Sequence, residues 1–355
     1  MSLFEVTVEL SRDQHSAVAA ITSWHQSGSQ TFSLAGLAGT GKTTILKYLD
    51  DRGLLGRNVL FAAYTGKAAS VLQGKGIPAT TSHKMLYYSK LVGVETHPKT
   101  GARKEIYEHT LKEEIEADCL VIDEASMLPA DIKQDIESYG IPVLYVGDHG
   151  QLPPVNSKPA VDLDNADYKL ETIHRQAENS PIIRAAMMAR NGEYLKLQQD
   201  DDQLWVIPRK RLHDGFLQTA MDHQGVALCG YNRTRQHYNN HLKQMVAGSS
   251  HQAIEAGDRI ICLKNVSGAG LYNGMTGICN SASFNKVTIC SDGDNDILTG
   301  GIQLFDLAYC LTVHKSQGSE YRTVILLDES RHMDSPERWL YTGITRAKQN
   351  LLIVR

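Results

Sequence analysis

The stretch Gly36-Leu37-Ala38-Gly39-Thr40-Gly41-Lys42-Thr43 most limits what this chain can become. It spells G-x-x-x-x-G-K-[ST], follows a β-like run, Gln30 to Leu34, and opens a helical run, Ile45 to Leu49. Glycines let successive backbone N–H groups turn inward as an anion cradle, and a helix start adds partial positive charge. In that context Lys42 reaches β- and γ-phosphates, and the Thr43 hydroxyl ligates Mg²⁺. The alternative, an ordinary Gly-rich strand–helix turn, has no need of the Lys-Thr pair. Gly36, Ala38, Gly39, Thr40, Gly41, Lys42, Thr43 and Thr44 are therefore predicted to hold a nucleoside triphosphate.

At 355 residues the chain exceeds one ordinary core, so two or three domains are expected. No apolar run approaches the ~20 residues of a membrane span. Met1-Ser2-Leu3-Phe4-Glu5 has no basic region before an apolar core, which predicts a cytoplasmic protein. The six cysteines are scattered without a C-x-x-C and read as buried, reduced thiols. A net charge of −4 excludes a broadly basic nucleic-acid coat, so any such partner must be held in a local groove.

Strands alternate with helices through the first half. Ser11 is an expected N-cap with Gln14 as its capping-box partner. Asn58 to Tyr64 reads as a buried strand, and Thr65-Gly66-Lys67-Ala68-Ala69 starts a helix. Cys119 to Glu124 is a strand ending in two acids, and Pro142 to Asp148 is a further strand. This rhythm predicts α/β architecture: a parallel sheet with its site at the strand C-terminal ends. Between His83 and Asp118 it breaks, and Gly93 to Gly101 predicts a small inserted hairpin with its turn near Pro98 to Gly101. In the second half Ser180-Pro181 caps a helix through Arg190, Val226 to Tyr231 is a strand, and Thr234 to Val246 is a helix. Short β-runs from about 250 to 302 fit a small inserted β-barrel. The α/β pattern then returns at Leu307 to Val313, Val324 to Leu327 and Asn350 to Val354.

Asp123-Glu124 is the expected second nucleotide element. Asp123 would hold Mg²⁺, and Glu124 would position and deprotonate the attacking water. In Gly147-Asp148-His149-Gly150-Gln151-Leu152-Pro153-Pro154-Val155, the Gln151 amide can sense the γ-phosphate, and the Pro-Pro pair stiffens the segment. A plain Pro-rich loop is the alternative there.

Five more stretches stand in one order with these three: Asp13-Gln14, Thr65 to Ala69, Ile173-His174-Arg175-Gln176, Leu311 to Glu320 and Tyr341 to Ala347. The set resembles the superfamily 1 helicases, in the 5′→3′ branch of RecD-like enzymes and the bacteriophage Dda helicase. The compact length looks most like a phage-type enzyme, in a bacterial or phage-infected cell. The resemblance implies two RecA-like P-loop NTPase cores, 1–83 with 117–170 and 171–249 with 303–355. It also implies a pin-like insertion at 84–116 that splits duplex and an SH3-like insertion at 250–302 that covers the strand. His97 and Pro98 are the candidate pin tip, without an aromatic at the turn; Tyr87 and Tyr88 lie nearby.

On residue roles, the resemblance makes Gln14 the adenine reader, with helix capping as its alternative. Arg175 and Arg346 reach ATP from the second core, so hydrolysis needs cleft closure; a salt-bridged helix residue is the alternative for Arg346. Glu320 falls near the nucleotide sugar. Strand contacts fall on Thr65, Lys67, Ser82 and His83 in the first core, and on Asn232, Thr312, His314, Lys315 and Ser316 in the second. Small polar residues at helix starts hold phosphates without a basic surface. For His83 and His314 the alternative is a buried histidine bonded to a carbonyl; His314 could also link the strand to Gln151.

The implied partners are single-stranded DNA and single/double-strand junctions, with single-strand-binding or replication proteins as further candidates and a monomer as the working form. A translocase that remodels protein–DNA complexes without unwinding is one rival. A P-loop small-molecule phosphotransferase is the other, but it would not need Gln151, Arg346 or Thr312 to Glu320. Asp292 to Asp296 begins like a calcium loop, but Ile297 stands where glycine is needed and Gln303 where glutamate is. His237 and His241 share a helix face without a third ligand or a catalytic Glu.

Overall fold

The computed structural model describes residues 9–96, 103–153, 159–172, 179–200, 203–222, 224–249, 253–264, 266, 270–292 and 296–355. In chain order the first half gives β1 (Thr31–Gly36), β2 (Val59–Ala63), β3 (Ala79–Thr81), β4 (Tyr87–Thr96), β5 (Arg103–Leu111), β6 (Cys119–Asp123), β7 (Val143–Gly147) and β8 (Tyr168–Leu170). Six of these form one sheet, β3-β2-β6-β7-β1-β8, in which all neighbours run parallel. Parallel pairing follows from the helices Lys42–Asp51, Gly66–Gly74 and Ala130–Glu137, which serve as crossovers and cover both faces.

Successive residues of each strand enter opposite cores. Leu34, Val121 and Leu144 pack with Trp24 and Ile45 on one side; Ala35, Ile122 and Tyr145 pack with Leu128 and Ile132 on the other. That double burial explains the unbroken apolar runs read from the sequence. Because β6, β7 and β1 are adjacent, Asp123, Gly147 and Gly36 end side by side on one rim. The strand order reverses around β1, and open α/β sheets bind ligands at such a crevice.

The helix Arg12–Ser27 opens as expected. Ser11 Oγ accepts from Gln14 N at 3.2 Å, Gln14 Oε1 accepts from Ser11 N at 2.9 Å, and Gly28 ends the helix at φ 76°. β4 and β5 pair antiparallel from Tyr87–Leu111 to Thr96–Arg103, so the inserted hairpin exists, longer than its sequence signal. Its turn, with His97 and Pro98, lies outside the described residues.

The second half contributes β9 (Gln198–Asp200), β10 (Leu204–Ile207), β11 (Val226–Cys229), β12 (Arg259–Cys262), β13 (Thr276–Ala282), β14 (Lys286–Ser291), β15 (Ile297–Gly301), β16 (Phe305–Leu307), β17 (Cys310–Thr312), β18 (Tyr321–Leu327) and β19 (Ala347–Val354). The second α/β sheet runs β17-β11-β18-β19-β10-β9, parallel except at edge strand β9. Val226, Leu228, Val324 and Leu326 face one core, and Ala227, Cys229, Ile325 and Leu327 face the other.

Between these cores' elements sits a five-stranded antiparallel sheet, β15-β14-β13-β12-β16, around Ile260, Cys262, Val287, Ile289 and Phe305. Its last strand falls past 302, where the sequence had already turned back to α/β rhythm; three residues are too few to carry a readable period. β15 and β16 are its two edges, so among the described residues it is an open sheet. A buried ion pair fixes it to the helix Asn232–Ala247: Lys243 Nζ lies 2.7 Å from Asp258 Oδ2, and Tyr309 Oη donates to Asp258 Oδ1 at 2.9 Å. It also touches the first core. A Cβ on Gly66 would come within 2.3 Å of Tyr272 Cβ, and Lys67 Nζ donates to Asp292 O at 3.0 Å.

None of the six cysteines forms a disulfide, and five of them are buried. Among the described residues no helix is long and apolar enough to cross a membrane.

Candidate functional site

The loop after β1 is shaped by missing side chains. A Cβ on Gly36 would lie 2.6 Å from Thr40 Oγ1, and Gly39 and Gly41 adopt φ of 82° and 80°, where only glycine sits without strain. The helix Lys42–Asp51 that follows has no side-chain N-cap, which leaves the donors of Lys42, Thr43 and Thr44 to an external acceptor. Lys42 Nζ is held on the loop's own carbonyls, Gly36 O at 2.7 Å and Leu37 O at 3.1 Å. Thr40 is buried and ties its hydroxyl to Leu37 O at 2.8 Å. Gln14 is buried as well, and besides the capping box its Nε2 donates to Thr40 O at 3.3 Å. The amide thus joins the first helix to the phosphate loop.

Asp123 ends β6 and accepts from Glu124 N at 2.9 Å. Glu124 takes φ 54°, a left-handed conformation that costs a non-glycine residue about 1–2 kcal/mol. That turn aims its carboxyl into the cleft. Burial, and then the charge of Asp123, push the Glu124 carboxyl up to about 7, against the pull of Arg346 and Lys42. Burial raises Asp123 too, opposed by the Glu124 amide and by Lys42. Among the described residues Glu124 Oε2 and Gln151 Oε1 are buried acceptors without a partner. Unpaired buried acceptors beside a capless helix start, with Lys42 on replaceable carbonyl bonds, fit a bound nucleotide with a divalent cation.

From the second sheet, Arg346 follows the helix Pro336–Ile344. It is buried, donating to Thr342 O and Ser319 O, both at 3.1 Å, and to Thr345 Oγ1 at 3.2 Å. Among the described residues no carboxylate pairs with it directly, yet its charge reaches Glu124 across the cleft. Glu320 forms an exposed ion pair with Lys348 at 3.0 Å. Partial loss of solvent around it works against its charge, but Lys348 and then Arg346 hold its carboxyl below the usual range. Arg175 lies outside the described residues, as do Pro154 and Val155.

The candidate strand-contacting residues gather at three places. Thr65 caps the helix Gly66–Gly74 through Ala68 N at 3.2 Å, and Gly318 of the second core packs against its hydroxyl. Adjacent strands β11 and β17 carry Asn232 and Thr312 to His314, Lys315 and Ser316 to one rim. Ser82 and His83 lie apart from both, at the root of the hairpin, where the His83 ring faces Tyr87 and His109. Burial, then His109, lower the pKa of His83; burial alone lowers that of His314, and burial followed by Arg235 lowers that of Lys315. The side chains of Ser82 and Ser316 are fully buried, and Ser316 Oγ is spent on Val313 O at 2.8 Å. A strand contact from either would go through main-chain N–H groups.

Residues that sequence reasoning left unassigned hold the cores together. Tyr341 Oη accepts from Ala38 N at 2.7 Å and donates to Asp148 Oδ2 at 2.7 Å. Leu152 N donates to Thr342 Oγ1 at 3.0 Å, and Gln317 Nε2 donates to Leu152 O at 2.9 Å. Gln317, not His314, therefore makes the described link from the 312–318 turn to the Gln151 segment. The only sequence signal was that Tyr341, Thr342 and Gln317 stand within quoted motifs. His241, set aside as a metal ligand, pairs with Asp214 at 2.8 Å.

Fold and loop together define a P-loop nucleotide-binding protein with two α/β cores. The family described as "AAA domain" matches residues 9–209, and the UvrD-like helicase C-terminal domain matches 307–354. The chain is 31% identical over 350 residues to the ATP-dependent RecD2 DNA helicase of Deinococcus radiodurans, covering 90% of this chain and 46% of that protein. It is 26% identical to the RecBCD enzyme subunit RecD of Mycolicibacterium smegmatis, over 90% of this chain and 67% of the relative. It thus spans about half the length of RecD2. Its fold is shared by the Bacteroides Pif1 helicase solved with ADP-AlF3 and ssDNA, at TM-score 0.61 and 20% identity over 98% of this chain and 92% of that one. The chain belongs to the AAA-domain family.

Proposed function

We propose that this chain is an ATP-dependent DNA helicase that moves 5′→3′ along a single strand and opens duplex ahead of it. The observation that carries the reading is the division of one cleft between two cores. Lys42, Asp123 and Glu124 come from the first, and Arg346, whose charge acts on Glu124, comes from the second. A site split this way makes turnover depend on closure, which is the requirement for coupling hydrolysis to motion.

Lys42 and Arg346, with Arg175, neutralise charge on the transferring phosphoryl group; Gln151 orients it, and Glu124 accepts a proton from the attacking water. Thr43 and Asp123 would hold Mg²⁺, which supplies further charge neutralisation when bound. Gln14 and Glu320 contact base and sugar. Thr65, Lys67, Ser82, His83, Asn232, Thr312, His314, Lys315 and Ser316 line the strand path. Two RecA-like cores at 1–83 with 117–170 and 171–249 with 303–355 act as alternating grips. The 84–116 hairpin serves as the pin, with His97 and Pro98 at its tip. The 250–302 insertion, whose sheet borrows β16, serves as the SH3-like cover. The Tyr272–Gly66 and Lys67–Asp292 contacts favour that last role. The relatives' forked-DNA and ssDNA complexes suggest the same partners here.

The test is ATP-dependent unwinding of matched duplexes with a 5′ or a 3′ single-stranded tail. Opening of the 5′-tailed duplex alone is expected. Opening of the 3′-tailed one alone overturns the polarity, and strand-stimulated ATPase with neither opened makes the chain a remodeller. Lys42→Ala should abolish turnover; retained hydrolysis would remove the site assignment.

A further inference from the structure

Tyr341 sits on the helix Pro336–Ile344 of the second core with no exposed surface, yet both hydrogen bonds of its hydroxyl go to the first core. One is with the phosphate loop itself, through Ala38 N. The other is with Asp148, whose Oδ1 accepts from Gly150 N at 2.8 Å and whose Oδ2 also receives Gln151 Nε2 at a long 3.4 Å. The ring reaches this point because residue 150 lacks a side chain: a Cβ there would lie 2.8 Å from Tyr341 Cε1 and 2.8 Å from Leu37 Cδ2. Four groups thus stand in one chain, the Ala38 amide, the Tyr341 hydroxyl, the Asp148 carboxylate and the Gln151 amide.

Resting on the helicase reading above, we propose that Tyr341 is a positioning residue that reports occupancy of the phosphate loop to Gln151. An amide N–H has a single proton to give. In the described conformation the Ala38 proton goes to Tyr341; when it goes to a phosphate oxygen instead, the hydroxyl loses its donor. A hydroxyl that accepts a hydrogen bond is a stronger donor, because such chains polarise one another. Losing the Ala38 bond therefore weakens the hold of Tyr341 on Asp148 Oδ2, and the carboxylate draws in the other donor within reach, the Gln151 amide. Gln151 Oε1, buried and without a partner among the described residues, is turned by that shift. Leu152, clamped by Thr342 and Gln317, passes the displacement to the 312–318 turn.

Tyr341→Phe removes only the hydroxyl and tests this directly. Without strand, a fluorescent ADP should bind about fivefold more tightly, because Ala38 N–H no longer has a protein acceptor to leave. With oligothymidylate, kcat for ATP should fall about tenfold, because Gln151 then stays drawn to Asp148 when the loop empties and no longer resets in each cycle. A packing defect moves both the same way, so weakened ADP binding together with lowered kcat overturns the proposal, as does unchanged ADP affinity. In a Gln151→Ala background the Phe substitution should still tighten ADP but cause no further loss of kcat; a full additional loss also overturns it. If Tyr341→Phe does not fold, Gly150→Ala, whose methyl meets the ring, should give the same opposed changes. A wild type without strand-stimulated turnover would remove the helicase reading, while the ADP comparison would still decide the hydroxyl's link to the loop.

Discussion

The Glu124 carboxyl offers the sharpest test of the cleft's electrostatics. An ordinary glutamate near 4.5 is fully ionised from pH 6 upward, so a base of that kind gives a flat rate between pH 6 and 8. With the folded value raised to about 7 by burial and the charge of Asp123, the ionised fraction is about one-tenth at pH 6 and about nine-tenths at pH 8. The strand-stimulated kcat/KM should therefore rise about tenfold across that interval. The terminal phosphate of ATP also titrates here, but equally for every variant, so variants are compared at each pH. Asp148 is among the charges that raise Glu124, and Asp148→Asn should move the acidic limb to lower pH. Arg346→Gln removes a charge that opposes the rise and should move it higher. The sign for stability is opposite to that of a salt-bridged acid. A raised folded value disfavours the ionised form in the fold, so this group's destabilisation is complete above pH 7 and disappears as pH falls toward 4.5. Limbs that coincide in all three proteins, measured by steady-state ATPase at fixed ionic strength, would refute the reasoning.

Arg346→Ala should lower strand-stimulated kcat by about 10³, the low end for arginine fingers; near-normal turnover would return the residue to a helix-packing role. Lys243→Met strands Asp258 as a buried charge and should cost about 3–5 kcal/mol, read by denaturant unfolding. Gly66→Ala drives a methyl into Tyr272 and should cost about 1–3 kcal/mol while changing strand affinity measured by fluorescence anisotropy.

What could be read in advance was local chemistry. The Gly36–Thr43 loop, the strand ending in Asp123-Glu124, the Ser11–Gln14 capping box and the helix Pro181–Arg190 each carry their signal within a dozen residues. The β4–β5 hairpin was legible as a break in rhythm, though its length was not, since Tyr87 to Leu91 lacks alternation. Three things were out of reach. Strand order, such as β1 between β7 and β8, depends on crossovers that leave no local trace. Lys243, Asp258 and Asp148 look in sequence like surface charges, and only tertiary packing buries them. Tyr341 was hidden by its neighbour, because the motif that contains both drew attention to the charged arginine.

The inserted sheet leaves the second core through Lys243 and Asp258 and returns through Ala308 and Tyr309, two residues that separate β16 from β17. A joint that short, pinned at its other end by a buried ion pair, has almost no compliance. Tension applied to the sheet reaches Thr312 without being absorbed in a tether. In an optical trap, a handle fixed at the β13–β14 tip, where Phe284 is 89% exposed, should report each stroke of the second core at nearly full amplitude.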